Sequence, residues 1–187
     1  TAPNLIEATQ DCGAFVQLSG VLKRVAVKLS KTCNDLRLLS SGPRAGLGEI
    51  NLPPMQNGSS IMPGKINPVI PEVVTQVAFH VIGNDTTITM AAEAGQMELN
   101  AFEPVVFYSL FSSITSMTGA VNTLVKNCIL GITANEKRCE DLVSKSVGIT
   151  TALCPYIGYQ KAASIAKKSL KTGESVTSLV LKDELLT

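Results

Sequence analysis

The stretch from residue 4 to residue 39 reads NLIEATQDCGAFVQLSGVLKRVAVKLSKTCNDLRLL. Its apolar residues recur at the three- and four-residue spacing of one helix face, and no proline or turn cluster interrupts them. A periodic stretch longer than ~25 residues favours a bundle or coiled-coil element over an ordinary globular helix. We therefore predict one long helix from Asn4 to Leu39, which would reach roughly 50 Å. It ends before Gly42 and Pro43, because Gly supplies a cap and Pro cannot continue the helix.

Further helices are predicted along the rest of the chain. Helical spacing of apolar residues returns after Pro71 and again from about Phe102 to Asn127, with a break at residues 93–101. In the last third of the chain the helices are shorter, and the first is expected to open with a T-x-x-E capping box from Thr133 to Glu136 and to end near Ser146. Two more are expected at about residues 158–171 and 175–185.

The fold class predicted from these patterns is all-α, because strand-like alternation is nearly absent. The patterns indicate a long-helix bundle over residues 1–130, followed by a small helical C-terminal domain over residues 131–187. Hydrophobic residues make up 45% of the chain and charged residues only 17%. Such a surplus of apolar helix surface favours subunit interfaces over a larger private core.

Composition argues against several classes of function. Sixteen basic and fifteen acidic residues leave a formal net charge of +1, and no basic stripe stands out, which argues against nucleic-acid binding. The uninterrupted apolar runs are far shorter than the ~20 residues that a membrane span needs. Five cysteines at irregular spacing, without a C-x-x-C pair, indicate the reduced thiols of a cytoplasmic protein. The single histidine, His80, has no ligand-like neighbour one helical turn away, so no side-chain metal site is expected.

Residues 42–71 contain six prolines and five glycines and form a long irregular connection, a kind of segment that is usually functional or disordered. Its informative part starts at Gly58 and reads GSSIMPGKINP. It is not a phosphate-binding loop, because five residues rather than four separate Gly58 from Gly64, Ile66 replaces the Mg²⁺-binding hydroxyl, and no strand precedes it. From the residues alone, two interpretations remain open. One is a surface loop whose serines satisfy backbone groups, and the other is a carboxylate-binding loop that uses a hydroxyl, a lysine and an asparagine.

This segment matches the G-S-S-x-M-P-x-K-x-N signature of the fumarase/aspartase superfamily at all seven fixed positions, and the chain resembles that superfamily over essentially its whole length. Supporting matches lie at residues 34–37, 41–44, 83–85 and 99–100. Within the superfamily, three stretches are similar to aspartate ammonia-lyases rather than to fumarases: residues 7–12, 71–74 and 86–96. Gly64 and residues 158–168 suit a fumarase equally well. The resemblance implies the helical bundle of the central domain of that fold.

The resemblance also implies an activity, the reversible deamination of L-aspartate to fumarate and ammonia. Ser59 would be the catalytic base that removes the C3 proton as an oxyanion, and Ser60 would donate a hydrogen bond to the β-carboxylate. Lys65 and Asn67 would hold the α-carboxylate of the substrate. Fumarate hydratase activity and a non-catalytic helical assembly domain are the two alternatives.

Supporting roles follow from the same resemblance. Gly58 and Gly64 would be hinges of the closing loop. Glu72 would orient a catalytic-region histidine that comes from another subunit; otherwise it is only an exposed helix-start glutamate, which the helix dipole favours. Arg37 and Arg44 are expected to be buried or interface cations that anchor the base of the loop.

The family assembles as a homotetramer with active sites shared by three subunits, and the resemblance implies the same here. It implies no required cofactor, although a divalent cation such as Mg²⁺ could activate the enzyme at an unknown site. Two of the three active-site segments, one with a Thr-His pair, are expected upstream of residue 1, and a last helix beyond residue 187. His80 is not that histidine, because it follows the serine segment. We therefore expect residues 1–187 alone to be inactive.

Overall fold

The computed structural model describes residues 2–56, 62 and 64–186, and that part of the chain is mostly helical. Its α-helices are α1 (Leu5–Ala8), α2 (Gly13–Leu39), α3 (Val69–Glu93), α4 (Glu103–Asn127), α5 (Glu136–Lys145), α6 (Thr150–Ile157), α7 (Tyr159–Thr172) and α8 (Val176–Lys182). Two short 3-10 turns (Ile129–Gly131 and Val147–Ile149) and two strands of two residues, β1 (Ile50–Asn51) and β2 (Thr133–Ala134), complete the regular structure described. The all-α prediction is confirmed.

The chain divides into two compact units, of which the first ends at Thr133 and the second begins at Ala134. Within the first unit α2 packs along α3, and α3 packs along α4. Ala26 of α2 and Ala78 of α3 belong to one buried cluster, in which small side chains let the two helices approach closely. Val81 of the same cluster is 1% exposed, and a side chain buried to this extent contributes about 1.5–3 kcal/mol. The core of this unit therefore runs along the shared faces of three long helices.

The predicted helix from Asn4 to Leu39 is interrupted near its beginning. α1 has only four residues, and α2 starts at Gly13. The carboxylate of Asp11 accepts a hydrogen bond from the Gly13 N–H at 2.8 Å. A short polar side chain that satisfies a free N–H in this way favours the start of a new helix over continuation of the old one. The prediction of one continuous helix is therefore wrong over residues 9–12, whereas the end at Leu39 is confirmed.

A buried amide holds the corner between α3 and α4. The Nδ2 of Asn100 donates to the Ala91 carbonyl near the end of α3 at 3.0 Å, and its Oδ1 accepts from the Phe102 N–H just before α4 at 2.8 Å. One side chain thus satisfies backbone groups at two helix ends. The predicted break between these helices is confirmed. α3 begins at Val69, slightly earlier than predicted, because a helix tolerates Pro71 in its first turn.

The second unit consists of α5 to α8. Its buried core contains Ile165, Val176, Leu179 and Val180. Helix α5 is confirmed, but the predicted capping box is wrong, because Thr133 belongs to β2 and its Oγ1 accepts a hydrogen bond from Asn51 of β1 at 3.2 Å. Helices α7 and α8 lie where the sequence predicted them, and α6 is a helix that the sequence pattern did not predict.

The region of α4 is the described part of the chain that most resembles a membrane span. The stretch Glu103–Gly131 is long and apolar enough to cross a membrane by length and composition alone. The core helix of a soluble protein passes the same test, and α4 packs against α3 through residues such as Val106, which is fully buried. We therefore interpret α4 as a bundle helix.

Candidate functional site

Residues 58–68, the serine loop, lie between the end of α2 at Leu39 and the start of α3 at Val69. The chain leaves α2 through a tight turn that one hydroxyl organises. The Oγ of Ser41 donates to the Leu38 carbonyl at 2.6 Å and accepts from the Leu47 N–H at 3.1 Å. This turn gives the connection a fixed starting point at the end of α2.

Two glycines of the connection are needed for different reasons. A Cβ on Gly46 would lie 2.4 Å from the carbonyl oxygen of Ser41, so no side chain fits there. Gly64 has a φ of 80°, which side chains of L-residues rarely adopt, although a Cβ there would meet nothing within 4 Å. The backbone conformation at position 64 therefore favours glycine, and the role of Gly64 as a hinge stays a prediction.

The first part of the serine loop is not described. Gly58, Ser59 and Ser60 lie outside the described residues, so their roles as hinge, catalytic base and β-carboxylate donor stay predictions. Lys65 is exposed, and its N–H donates to the Met62 carbonyl at 3.2 Å. The exposed position leaves the ammonium of Lys65 accessible to a ligand.

Asn67 lies two residues before the start of α3. It is half-buried, and its carbonyl accepts a hydrogen bond from the Val69 N–H at 2.9 Å. The first turn of α3, a helix of 25 residues, has the positive dipole end that favours anions. With Lys65 two positions upstream, the described end of the serine loop brings a cation and an amide to the start of a long helix. This arrangement suits a carboxylate.

Glu72 in the first turn of α3 pairs with Arg37 in the last turn of α2. Arg37 Nη2 lies 3.8 Å from Glu72 Oε1, and the two side chains are 41% and 37% exposed. Arg37 also donates from Nη1 to the Oδ1 of Asn34 at 3.4 Å. Arg37 and Arg44 are both exposed in this chain, so neither is a buried cation, and their expected role as interface cations stays a prediction. Sequence reasoning missed the contact with Glu72, although opposite charges on the two helix ends that flank one loop are a signal for it.

His80 forms a polar cluster between α3 and α4. Its Nε2 lies 3.2 Å from Ser112 Oγ and 3.1 Å from Asn84 Nδ2. The same amide nitrogen of Asn84 donates to Ser113 Oγ at 3.0 Å. These partners come from the helices rather than from the described part of the serine loop. That His80 takes no part in catalysis stays a prediction.

One face of α2 carries four cations, and the absence of nucleic-acid binding stays a prediction. Six residues line a groove of about 470 Å³: Gly20, Lys23, Arg24, Val27, Lys28 and Lys31. Two of the cations are paired, Lys23 with Asp85 and Lys31 with Asp35. Helix-spaced charges that are partly neutralised are typical of a solvated helix face.

The described residues offer no metal centre. Among them, no group of three or more His, Cys, Asp or Glu side chains is placed to hold a metal ion. A site for Mg²⁺ needs several oxygen ligands in octahedral geometry. Activation by a divalent cation, which the resemblance allows, stays a prediction.

All five cysteines are free thiols, and Cys12, Cys33 and Cys128 are buried. Burial, followed by the neighbouring Cys128, raises the pKa of the Cys33 thiol to about 11. Because the thiolate is the reactive form, Cys33 is inert at neutral pH and packs as a small apolar side chain.

Comparison with known proteins gives consistent similarities. Residues 1–83 match the family model described as "Lyase", and residues 149–187 match "Fumarase C C-terminus". The aspartate ammonia-lyase of Helicobacter pylori is 64% identical over 186 residues, which cover 100% of this chain and 40% of that protein. A solved structure of "fumarate lyase:delta crystallin" from Brucella melitensis has a TM-score of 0.92 at 55% identity and covers 99% of this chain and 42% of that one. A class II fumarase from Schistosoma mansoni has a TM-score of 0.90 at 34% identity, with 99% and 39% covered. The chain thus spans about 40% of the length of the curated relatives it matches.

Proposed function

Because the chain belongs to the fumarase/aspartase superfamily, we propose that the complete protein deaminates L-aspartate reversibly to fumarate and ammonia. One observation carries this proposal. The G-S-S-x-M-P-x-K-x-N signature at residues 58–67 is intact in a chain that is 64% identical to an aspartate ammonia-lyase. Since the chain spans 40% of that relative, the activity belongs to the complete protein and its partner subunits.

The difficult step is removal of the proton from C3, because it places extra negative charge on the adjacent β-carboxylate. Catalysis requires that the protein bind this charge better in the transition state than in the bound substrate. In the proposed reaction Ser59 takes the proton as its oxyanion, and Ser60 donates to the β-carboxylate as charge develops there. A serine hydroxyl ionises only if N–H donors and a nearby cation stabilise the alkoxide in a site closed to water.

The α-carboxylate of the substrate is proposed to bind at the described end of the serine loop. Lys65 supplies a positive charge and Asn67 supplies amide N–H donors. The exposed position of Lys65 and the position of Asn67 just before α3 support this role. A carboxylate held there would also benefit from the positive end of the α3 dipole.

The proposed active site is shared by three subunits of a homotetramer. Glu72 would orient a histidine from another subunit, and its exposed fraction of 37% leaves the carboxylate accessible to such a partner. Exposed apolar side chains on α3 and α4 support assembly, since isolated subunits rarely carry so many. The largest of them are Phe79 (62% exposed), Tyr108 (73%) and Phe111 (65%).

The proposal needs no cofactor, and it places the enzyme in the cytoplasm. A divalent cation such as Mg²⁺ is proposed only as a possible activator, at an unknown site. Five free cysteines support a reducing compartment.

The decisive experiment replaces Ser59 with alanine in the complete protein. We expect turnover of aspartate, followed as the absorbance of fumarate, to be lost, while the assembly measured by size-exclusion chromatography is unchanged. Ser144→Ala is the matched control, because Ser144 is exposed on α5 and its Oγ donates to the Asp141 carbonyl of its own helix. Retained activity in Ser59→Ala would remove Ser59 from the role of base.

Fumarate hydratase is the second candidate, supported by the TM-score of 0.90 to a class II fumarase. Product analysis separates the two activities. An aspartate ammonia-lyase releases ammonia from aspartate, whereas a fumarate hydratase converts malate to fumarate. A non-catalytic assembly domain is the third reading. This hypothesis predicts that neither aspartate nor malate is turned over and that the protein forms a helical oligomer in solution.

A further inference from the structure

We propose that Arg37 is a positioning residue for the serine-loop site, and that it acts through Glu72. The proposal rests on the function proposed above and adds a residue to it. Arg37 lies in the last turn of α2 and Glu72 in the first turn of α3, so their ion pair connects the two helix ends that flank the serine loop.

Both charges occupy helix ends where the dipoles favour them. A cation near a helix C-terminus and an anion near a helix N-terminus are both stabilised by the helix dipole. Arg37 is also held on its own helix by the hydrogen bond from its Nη1 to Asn34. The guanidinium is therefore oriented before it meets the carboxylate, and it is suited to fix the position of a flexible glutamate.

The position of Glu72 is coupled to the residues that are proposed to bind substrate. The Glu72 N–H donates to the Pro68 carbonyl at 3.2 Å, and the Val69 N–H donates to the Asn67 carbonyl at 2.9 Å. A shift of the first turn of α3 would therefore move Asn67. Small displacements of this kind are sufficient to lower catalysis, because productive geometry tolerates well under 1 Å.

Packing explains why the contribution concerns position more than stability. At this end of the bundle, Cys33 and Val74 form a buried cluster with Leu36 and Ile70 packed against it, so apolar contacts already hold α2 to α3. An ion pair whose side chains are 41% and 37% exposed adds little to stability, because water screens it. Its remaining effect is electrostatic, because the guanidinium attracts the carboxylate of Glu72 toward the end of α2.

The length of the contact leaves Glu72 able to bind another donor. The distance of 3.8 Å between Nη2 and Oε1 exceeds the ~2.7–2.9 Å of a charge-assisted hydrogen bond. Arg37 thus orients the carboxylate without saturating its acceptor capacity. The carboxylate stays available to a donor from another subunit.

The test is a double-mutant cycle in the complete, assembled protein, with kcat and KM for aspartate as readouts. Arg37→Gln is expected to lower kcat/KM roughly 10-fold, whereas Arg37→Lys, which keeps the charge, recovers most of the loss. In the Glu72→Gln background, Arg37→Gln should change kcat/KM by less than about 2-fold, because a residue that acts through Glu72 has nothing left to position. The control is Lys31→Gln, which removes a cation and an ion pair from α2 without contacting α3.

Two results would overturn the proposal: wild-type kcat/KM in Arg37→Gln, or equal losses from Arg37→Gln with and without Glu72. If Arg37→Gln does not assemble, the same cycle is run with Arg37→Met, which also removes the charge, and its loss must again disappear when Glu72 is replaced. Failure of the proposed function itself is distinguishable, because the wild-type protein would then release no ammonia from aspartate.

Discussion

Replacing Lys23 with methionine removes the cation that faces a buried carboxylate. Asp85 on α3 is 6% exposed. Its carboxylate accepts hydrogen bonds from Lys23 Nζ at 2.5 Å and from Ser19 Oγ at 2.8 Å, and both donors belong to α2. Methionine keeps most of the aliphatic length of lysine, so the substitution removes the charge with little loss of packing.

The expected cost lies between two known limits. Exposed ion pairs contribute about 0.2–1 kcal/mol, and removal of one partner of a fully buried pair costs about 3–5 kcal/mol. The side chain of Asp85 is 8% exposed, but that of Lys23 is 47% exposed, so water can approach the carboxylate from the lysine side. We therefore expect Lys23→Met to lower the free energy of unfolding by about 2 kcal/mol. Asp85→Asn should cost only about 1 kcal/mol, because the amide still accepts from Ser19 and leaves no buried charge.

The measurement is denaturant-induced unfolding of the complete protein, with Lys28→Met as the control. Lys28 is exposed on the same face of α2, and its removal should change stability by no more than about 0.5 kcal/mol. The characteristic result is the order, in which Lys23→Met costs more than Asp85→Asn. Equal costs for Lys23→Met and Lys28→Met, or a reversed order for Asp85→Asn, would refute the argument that the buried carboxylate needs its cation.

Two further predictions concern packing and pH. Gly131→Ala should lower the free energy of unfolding by about 1–3 kcal/mol, because a Cβ there would lie 2.5 Å from Pro53 Cγ. Gly119→Ala should instead stabilise the protein by about 0.5–1 kcal/mol, because it lies in the middle of α4 and its Cβ would meet nothing within 4 Å. If neither variant changes the stability measured by thermal unfolding, the close approach of Gly131 to Pro53 is contradicted. Burial raises the pKa of the Cys33 thiol from 9.0 to about 11, so the stability that comes from keeping it neutral is fully present below pH 9 and is lost as the pH rises through 11. Unfolding free energies measured across this window should fall less steeply in Cys33→Ala than in the wild type, and identical slopes would count against the shift.

The sequence predicts the long helices well, because their apolar period is local information. Helices α3 and α4 and the end of α2 follow from that period. The interruption before Gly13 does not, since it depends on one hydrogen bond that Asp11 accepts from the Gly13 N–H. Helix α6 was missed because Gly148 lies just before it and Pro155 inside it, and both residues usually indicate turns.

Contacts between residues distant in sequence explain the other differences. Thr133 has the spacing of a helix cap relative to Glu136, yet it pairs in a short sheet with a segment some eighty residues earlier. The serine-loop motif could be located from sequence because its residues are contiguous. The opposite charges of Arg37 and Glu72 are visible in the sequence, but whether they pair depends on how α2 and α3 lie against each other.

Two ion pairs between α2 and α3, Lys23 with Asp85 and Arg37 with Glu72, also define how these helices are paired. Fourteen positions separate Arg37 from Lys23 on α2, and thirteen separate Glu72 from Asp85 on α3, so the pairing is antiparallel and in register over roughly 20 Å. Apolar contacts between these two ion pairs are not directional and fix the register less strictly than the ion pairs do. The carboxylate of Asp85 is buried and lies far along α3 from the serine loop. The ion pair at Glu72 is exposed and lies at the base of the serine loop. Loss of the first should therefore reduce stability with little change in kcat/KM, and loss of the second should reduce kcat/KM with little change in stability. A set of variants in which both properties fall together at both sites would mean that the helix pair moves as one unit, and that Arg37 has no separate role in positioning Glu72.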